Sequence, residues 1–274
     1  MTEGRKSMKP VTVRNVKIGK GMPKICVPIV GVTKEEIYEE AKNMKKLPVD
    51  LVEWRGDWFA DILEPEQTAE VLGGLRKILG RRPILFTFRT KKEGGEKEIT
   101  AEEYEKINRQ VIATGNADMI DVEIFIDGEE GKKNETEDGG QEGTVERLIR
   151  EAHAHDVKVI ASSHDFEKTP PKEVIISRLM RMQDAGTDIA KIAVMPKDRA
   201  DVLTLLSATE EMCREYARCP VVTMSMSARG VLSRLCGEVF GSAITFASAG
   251  KASAPGQMDV DELKEVLKIL HKNM

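Results

Sequence analysis

Residues 157–194 read VKVIASSHDFEKTPPKEVIISRLMRMQDAGTDIAKIAV. The two ends, VKVIASS (157–163) and DIAKIAV (188–194), are apolar runs too short to be helices and carry the β-branched residues that suit strands. The middle, KEVIISRLMRMQDAG (172–186), repeats its apolar side chains at three- and four-residue intervals, the period of an amphipathic helix. Strand, helix and strand follow one another.

Outward from this unit the same alternation continues. KICVPIV (24–30), VDLVEW (49–54), PILFTF (83–88), DMIDVEIF (118–125), PVVTMSM (220–226) and SAITFAS (242–248) read as strands, which brings the total to eight. Between them EEIYEEAKNMKKL, EEYEKINRQVIATG and LTLLSATEEMCREYA have helical periodicity. The last segment, DVDELKEVLKILHKN, opens at Asp259 as N-cap and repeats Val260, Leu263, Val266, Leu267 and Leu270. Eight strand–helix units predict an α/β fold, a (β/α)8 TIM barrel, with an open doubly wound sheet as the alternative. Ahead of the first strand, VTVRNVKIGKG (11–21) reads as a short N-terminal β-hairpin that closes the barrel bottom.

A chain of 274 residues with 41% hydrophobic and 32% charged content fits one barrel domain spanning 1–274. One stretch departs from that composition. DGEEGKKNETEDGGQEG (127–143) has no apolar side chain and reads as a mobile polar insertion, on the active-site face because it follows the fourth strand. It contains the sequon Asn134-Glu135-Thr136, which a cytoplasmic protein does not use.

A net charge of -4 with no basic arm sets nucleic acid aside as a partner. No apolar stretch is long enough to span a bilayer, and MTEGRKSMKPV lacks a signal-peptide core, so a cytoplasmic location and no membrane partner are expected. Cys26, Cys213, Cys219 and Cys236 form no CxxC pair, and with four histidines they suggest neither a disulfide framework nor a metal site.

Barrel enzymes place their chemistry at the C-terminal ends of the strands. There this chain has Glu53 and Arg55 after strand two, Arg89 after strand three, His164 after strand five and the polar run Ser248 to Gln257 after strand eight. Lys191 falls inside strand six. Alternation turns Ile189, Lys191 and Ala193 toward the barrel interior and Ala190, Ile192 and Val194 toward the helices. A lone ammonium in that interior loses its hydration, which favours the neutral, nucleophilic amine. The competing reading is a structural pair with an interior carboxylate such as Glu53 or Glu123. His164, one strand away, is a proton carrier of the right kind, whereas His153 and His155 sit at a helix end and suit a solvated or dipole role. An amine beside an imidazole suggests carbonyl chemistry through a Schiff base. A class I aldolase and a noncatalytic protein on a decayed barrel are the other functional readings.

VEWRGD (52–57), LFTFRTKKEGG (85–95), SSHDF (162–166), DIAKIAVMP (188–196), MSARGVLSRLCGEVFGSAITFA (226–247) and ASAPGQM (252–258) together resemble the type I 3-dehydroquinate dehydratases of the shikimate pathway of aromatic amino acid biosynthesis. The resemblance implies a (β/α)8 barrel, usually a homodimer, that converts 3-dehydroquinate to 3-dehydroshikimate without metal or organic cofactor. It further implies Lys191 as the Schiff-base lysine, His164 as general acid and base, and Glu93 as the carboxylate that orients the histidine. Arg234 would then hold the substrate carboxylate, with Glu53, Arg55, Arg89, Ser253 and Gln257 toward the hydroxyls and carboxylate. By spacing alone Arg234 could equally pair with Glu238 one helical turn on. SAPGQ (253–257) suits a loop that closes over substrate, and Met224 and Met226 suit a pocket floor or plain core. The 127–143 insertion departs from the family pattern.

Overall fold

The structure, a computed structural model, describes residues 8–128, 134–135, 141–250 and 253–274. A hairpin comes first, β1 (Val11–Val13) with β2 (Val16–Ile18). The chain then runs β3 (Lys24–Ile29), α1 (Lys34–Met44), β4 (Leu51–Arg55), α2 (Pro65–Leu79), β5 (Ile84–Thr87), α3 (Ala101–Ala113) and β6 (Met119–Glu123). Two short strands, β7 (Asn134–Glu135) and β8 (Gln141–Glu142), pair with each other within the polar insertion. The rest of 129–140 lies outside the described residues, and with it the expected mobility of this loop. There follow α4 (Thr144–Ala154), β9 (Lys158–Asp165), α5 (Lys172–Asp184), β10 (Ile189–Val194), α6 (Arg199–Glu211), β11 (Val221–Ser225), α7 (Val231–Leu235), α8 (Gly237–Phe240), β12 (Ile244–Phe246) and α9 (Val260–Lys272).

Eight strands, in the order β11-β10-β9-β6-β5-β4-β3-β12, form one sheet whose pairs are all parallel. Its two ends meet: Val221 bridges Ser242, and the Ala243 N–H donates to the Val221 carbonyl at 2.8 Å. Closure removes the free edges an open doubly wound sheet would leave, so the structure is the (β/α)8 barrel. Helix starts are set by local chemistry. Thr33 with Glu36 and Thr100 with Glu103 make reciprocal capping boxes on α1 and α3, and Asp259 caps α9.

Strand alternation divides the core in two. Outward residues such as Ala190, Ile192 and Val194 pack with the helices, while Leu51, Leu85, Met119, Ile160, Ile189, Val222 and Ile244 pack inside the barrel. Val13 and Ile18 of the hairpin belong to that inner cluster, so the hairpin stoppers the end where the strands begin. Along β4, β5, β6, β9 and β10 the inward positions turn from apolar to polar. Leu51 is followed by Glu53 and Arg55, Leu85 by Thr87 and Arg89, Met119 by Asp121 and Glu123, Ile160 by Ser162 and His164, and Ile189 by Lys191. A dry plug therefore underlies a charged layer at the C-terminal face.

Candidate active site

Lys191 is buried on the inner face of β10, 4% exposed, as the alternation predicts. It is not a lone ammonium. Its Nζ donates to Asp121 Oδ2 at 2.9 Å and lies 4.7 Å from the centre of the Phe246 ring. Neither Glu53 nor Glu123, the carboxylates foreseen as partners, takes that place: Glu53 Oε1 accepts from Thr87 Oγ1 at 2.7 Å, and Glu123 is held by Arg89 and Thr90. Asp121 escaped the sequence reading, although it shares the inward face of β6 with Glu123.

Arg89 organises this layer. Its Nη1 donates to Glu123 Oε1 at 2.9 Å and Ser162 Oγ at 3.0 Å, its Nη2 to Asp121 Oδ1 at 2.8 Å, and Nη1 stands 3.5 Å from Glu93 Oε2. Burial alone would push Asp121 up, but Arg89 and then Lys191 outweigh it and hold the carboxyl well below the usual carboxylate range. Asp57 does a similar service one strand over and was also missed. Fully buried, it takes Nε and Nη2 of Arg55 at 2.7 Å each and accepts the backbone N–H groups of Arg89 and Glu96.

His164 lies within β9, which runs two residues further than the apolar pattern suggested. Glu93 Oε2 accepts the His164 backbone N–H at 3.0 Å and lies 2.9 Å from the ring Nδ1. An oxygen already accepting that N–H and facing Arg89 is an acceptor for the ring as well, which assigns the imidazole proton to Nδ1 and leaves Nε2 bare. Burial, then the positive charges of Arg89 and Lys191, push His164 well below the ordinary imidazole value, so the ring is neutral near pH 7. Burial and the Glu123 carboxylate push Glu93 up, against the pull of Arg89. Glu93 reaches His164 from a short turn, Lys91–Glu93, ended by Gly94 at φ 87°. A Cβ on Gly94 would meet the Phe166 ring at 2.3 Å, and one on Gly95 would meet the Arg89 carbonyl oxygen at 1.9 Å. Both glycines of KEGG are therefore constrained by close approach, and Gly94 by its backbone conformation as well.

Arg234, on α7, is buried at 3% exposure. Its Nη2 donates to the Pro255 carbonyl at 3.0 Å, its Nη1 lies 3.8 Å from the Met224 sulfur, and its Nε has no partner. The alternative pair with Glu238 does not form, because Glu238 lies 2.8 Å from His271. Among the described residues Arg234 has no carboxylate within ion-pair distance, and burial pushes its guanidinium down to about 10. Ser253 and Gln257 hydrogen-bond each other: Gln257 Nε2 donates to Ser253 Oγ at 3.0 Å and its Oε1 accepts the Ser253 N–H at 2.9 Å.

All nine residues foreseen for the site, Lys191, His164, Glu93, Glu53, Arg55, Arg89, Arg234, Ser253 and Gln257, line one cavity of about 50 Å³ at the C-terminal face. Met224, Met226, Phe166 and Phe246 supply its apolar wall. The two methionines also belong to the inner core, so both readings of them hold. His153 lies elsewhere, against Asp188 at 2.8 Å, and His155 caps the end of α4. A buried amine, a neutral imidazole backed by a carboxylate, and an arginine without an anion are the parts for covalent carbonyl chemistry on an anionic substrate.

Residues 25–274 match the family model described as Type I 3-dehydroquinase. The chain is 51% identical over 265 residues to the 3-dehydroquinate dehydratase of Listeria welshimeri, covering 97% of this chain and 99% of that one. It is 49% identical over 264 residues to the enzyme of the same name from Clostridium novyi, covering 96% and 99%. A crystal structure of type I 3-dehydroquinate dehydratase from Clostridium difficile, with covalent modified comenic acid, superposes with a TM-score of 0.90 at 48% identity, covering 97% of this chain and 100% of that one.

Proposed function

The chain belongs to the type I 3-dehydroquinase family, and we propose that within its reaction, the dehydration of 3-dehydroquinate to 3-dehydroshikimate in the shikimate pathway, Lys191 forms the Schiff base, His164 moves the protons and Glu93 orients His164. Membership sets aside the aldolase and the decayed barrel, since the family is one of hydro-lyases.

In this reading Lys191 gives one proton to His164 Nε2 and its amine adds to the substrate ketone; a second N–H proton passes to the carbonyl oxygen, His164 returns the first, and the oxygen departs as water, leaving His164 neutral. The resulting iminium draws electrons from the neighbouring C–H bond, so His164 Nε2 can take that proton and leave a neutral enamine. The enamine expels the adjacent hydroxyl, which His164 protonates as it leaves. Water then hydrolyses the product iminium and frees Lys191. One imidazole serves each proton transfer because burial beside Arg89 keeps it neutral and ready to accept. Arg234 receives the substrate carboxylate, an anion for a buried cation that has none among the described residues. Glu53, Arg55, Ser253 and Gln257 meet the ring hydroxyls and carboxylate. Arg89 borders the same space, with most of its donors already committed to carboxylates. The reading also takes the chain to act without cofactor, as one barrel domain over 1–274 with its polar insertion at 127–143, as a homodimer, and in the cytoplasm.

The observation that carries this reading is the buried Lys191 sharing one cavity with the Glu93–His164 pair. Borohydride reduction in the presence of 3-dehydroquinate, followed by intact mass and peptide mapping, tests it. A ligand-derived adduct should appear on the Lys191 peptide and be absent from Lys191→Ala. Turnover without any adduct would refute the covalent assignment.

A further inference from the structure

Asp121 is given no part in the steps above, yet it is the side chain bonded to the reacting amine. Both of its oxygens are occupied. Oδ2 accepts from Lys191 Nζ at 2.9 Å, and Oδ1 accepts from Arg89 Nη2 at 2.8 Å and from Ser162 Oγ at 2.5 Å. The carboxylate is fully buried inside the barrel, with three donors converging on it from the loop after β5, from β9 and from β10.

We propose that Asp121 is a positioning residue for the chemistry at Lys191: it fixes Nζ under the cavity, acts as counter-ion to the iminium nitrogen, and stays ionised throughout. The inference rests on Lys191 being the Schiff-base residue. A protonated Asp121 would have to turn an O–H toward one of three donors already pointing at it, so the carboxylate cannot double as the proton acceptor without breaking a bond of this network. The proton shed by Lys191 therefore goes to His164 or to solvent. Ammonium and iminium both carry one positive charge on the same nitrogen. A fixed anion beside that nitrogen stabilises the covalent cation without any rearrangement in the site.

Other charged or titratable groups face Lys191 from the surrounding elements: Cys26 on β3, Glu53 and Arg55 on β4, Arg89 and Glu93 after β5, His164 on β9 and Arg234 on α7. β11 and β12 contribute the uncharged Met224 and Phe246. Of all these, Asp121 is the carboxylate within hydrogen-bond distance of Nζ.

Removing the carboxylate deprives the iminium of its counter-ion. In Asp121→Asn, borohydride trapping of the full-length protein with 3-dehydroquinate is expected to form the adduct more slowly than in wild type, and kcat should fall roughly 10²-fold with KM much less affected. Asp121→Glu, which keeps the charge, should recover most of the lost kcat. A folded Asp121→Asn with wild-type adduct formation and kcat overturns the proposal. Should the variant not fold, infrared difference spectra of wild type carrying 13C-carboxyl aspartate decide: no protonated aspartic acid band should accompany adduct formation, and its appearance overturns the proposal. Absence of an adduct in wild type would instead overturn the assignment of Lys191 itself, so the two failures are distinct.

Discussion

Arg234 shows how one residue can be a cost to the fold and a benefit to binding. A buried guanidinium with an unpartnered Nε and, among the described residues, no facing carboxylate is stabilised poorly by its surroundings. Replacing it by methionine should raise thermal stability by about 1 kcal/mol or more, because a desolvated charge is exchanged for an apolar chain. The same change should raise KM for 3-dehydroquinate roughly 10²-fold, because the substrate carboxylate loses its forked donor. Thermal melts beside steady-state kinetics read both at once, and a variant that is less stable with unchanged KM would refute the role. Lys191 is the opposite case. Its charge is balanced by Asp121 in the folded protein, so burial there does not leave a cation stranded.

At the level of elements, the loop between β5 and α3 carries more of the site than its length suggests. It holds Arg89 and Glu93, and it is fastened by the Thr90–Lys97 bridge, the Gly95 N–H to Thr90 carbonyl bond at 2.8 Å and the buried Asp57. Its glycines leave no room for a side chain. Gly95→Ala would drive a methyl into the Arg89 carbonyl oxygen, and relief of that clash must move Glu93 away from His164. A displacement of about 1 Å at such a support costs on the order of 10²-fold in rate, so kcat should fall by that order while the far-UV circular dichroism stays that of wild type. Unchanged kcat would mean that Glu93 does not hold His164 in place. Short apolar runs, helical periodicity and the Asp259 N-cap made most elements legible beforehand. The end of α6 was not: MCREY (212–216) leaves the α-helical course for a wider turn closed by the Ala217 N–H to the Met212 carbonyl at 2.8 Å. Apolar spacing does not distinguish that turn from a regular helix, since Met212 is buried in either case.

For the molecule as a whole, the barrel separates stability from chemistry along its axis. The hairpin and the lower inward residues make a dry plug, and the charged layer lies above it. Ile18, wholly buried at the plug, belongs to the inner core and is not one of the residues that line the cavity. Ile18→Ala should therefore destabilise by roughly 2–5 kcal/mol, measured by denaturant unfolding, with kcat and KM as in wild type. A loss of activity in the folded variant would show that the plug positions the charged layer after all.

What the sequence determined by itself is the set of residues that face inward and the end of the barrel at which they collect. Side-chain alternation is fixed by backbone geometry, so Lys191 could be placed on the inner face from DIAKIAV alone, while Glu53, Arg89 and His164 could be placed at the C-terminal ends of their strands, where barrel chemistry collects. Glu93, Arg234, Ser253 and Gln257 lie on loops and a short helix, where no period applies, and only the family resemblance singled them out. Which charge meets which was decided by the tertiary structure. Glu53, Asp121 and Glu123 all point into the barrel, yet Asp121 takes Lys191 because the stagger of β6 against β9 and β10 brings those two side chains within 2.9 Å across 70 residues of chain. The pairing of Arg55 with Asp57 and the isolation of Arg234 from Glu238 were decided in the same way, by where closed strands and their loops place the charges once water is excluded.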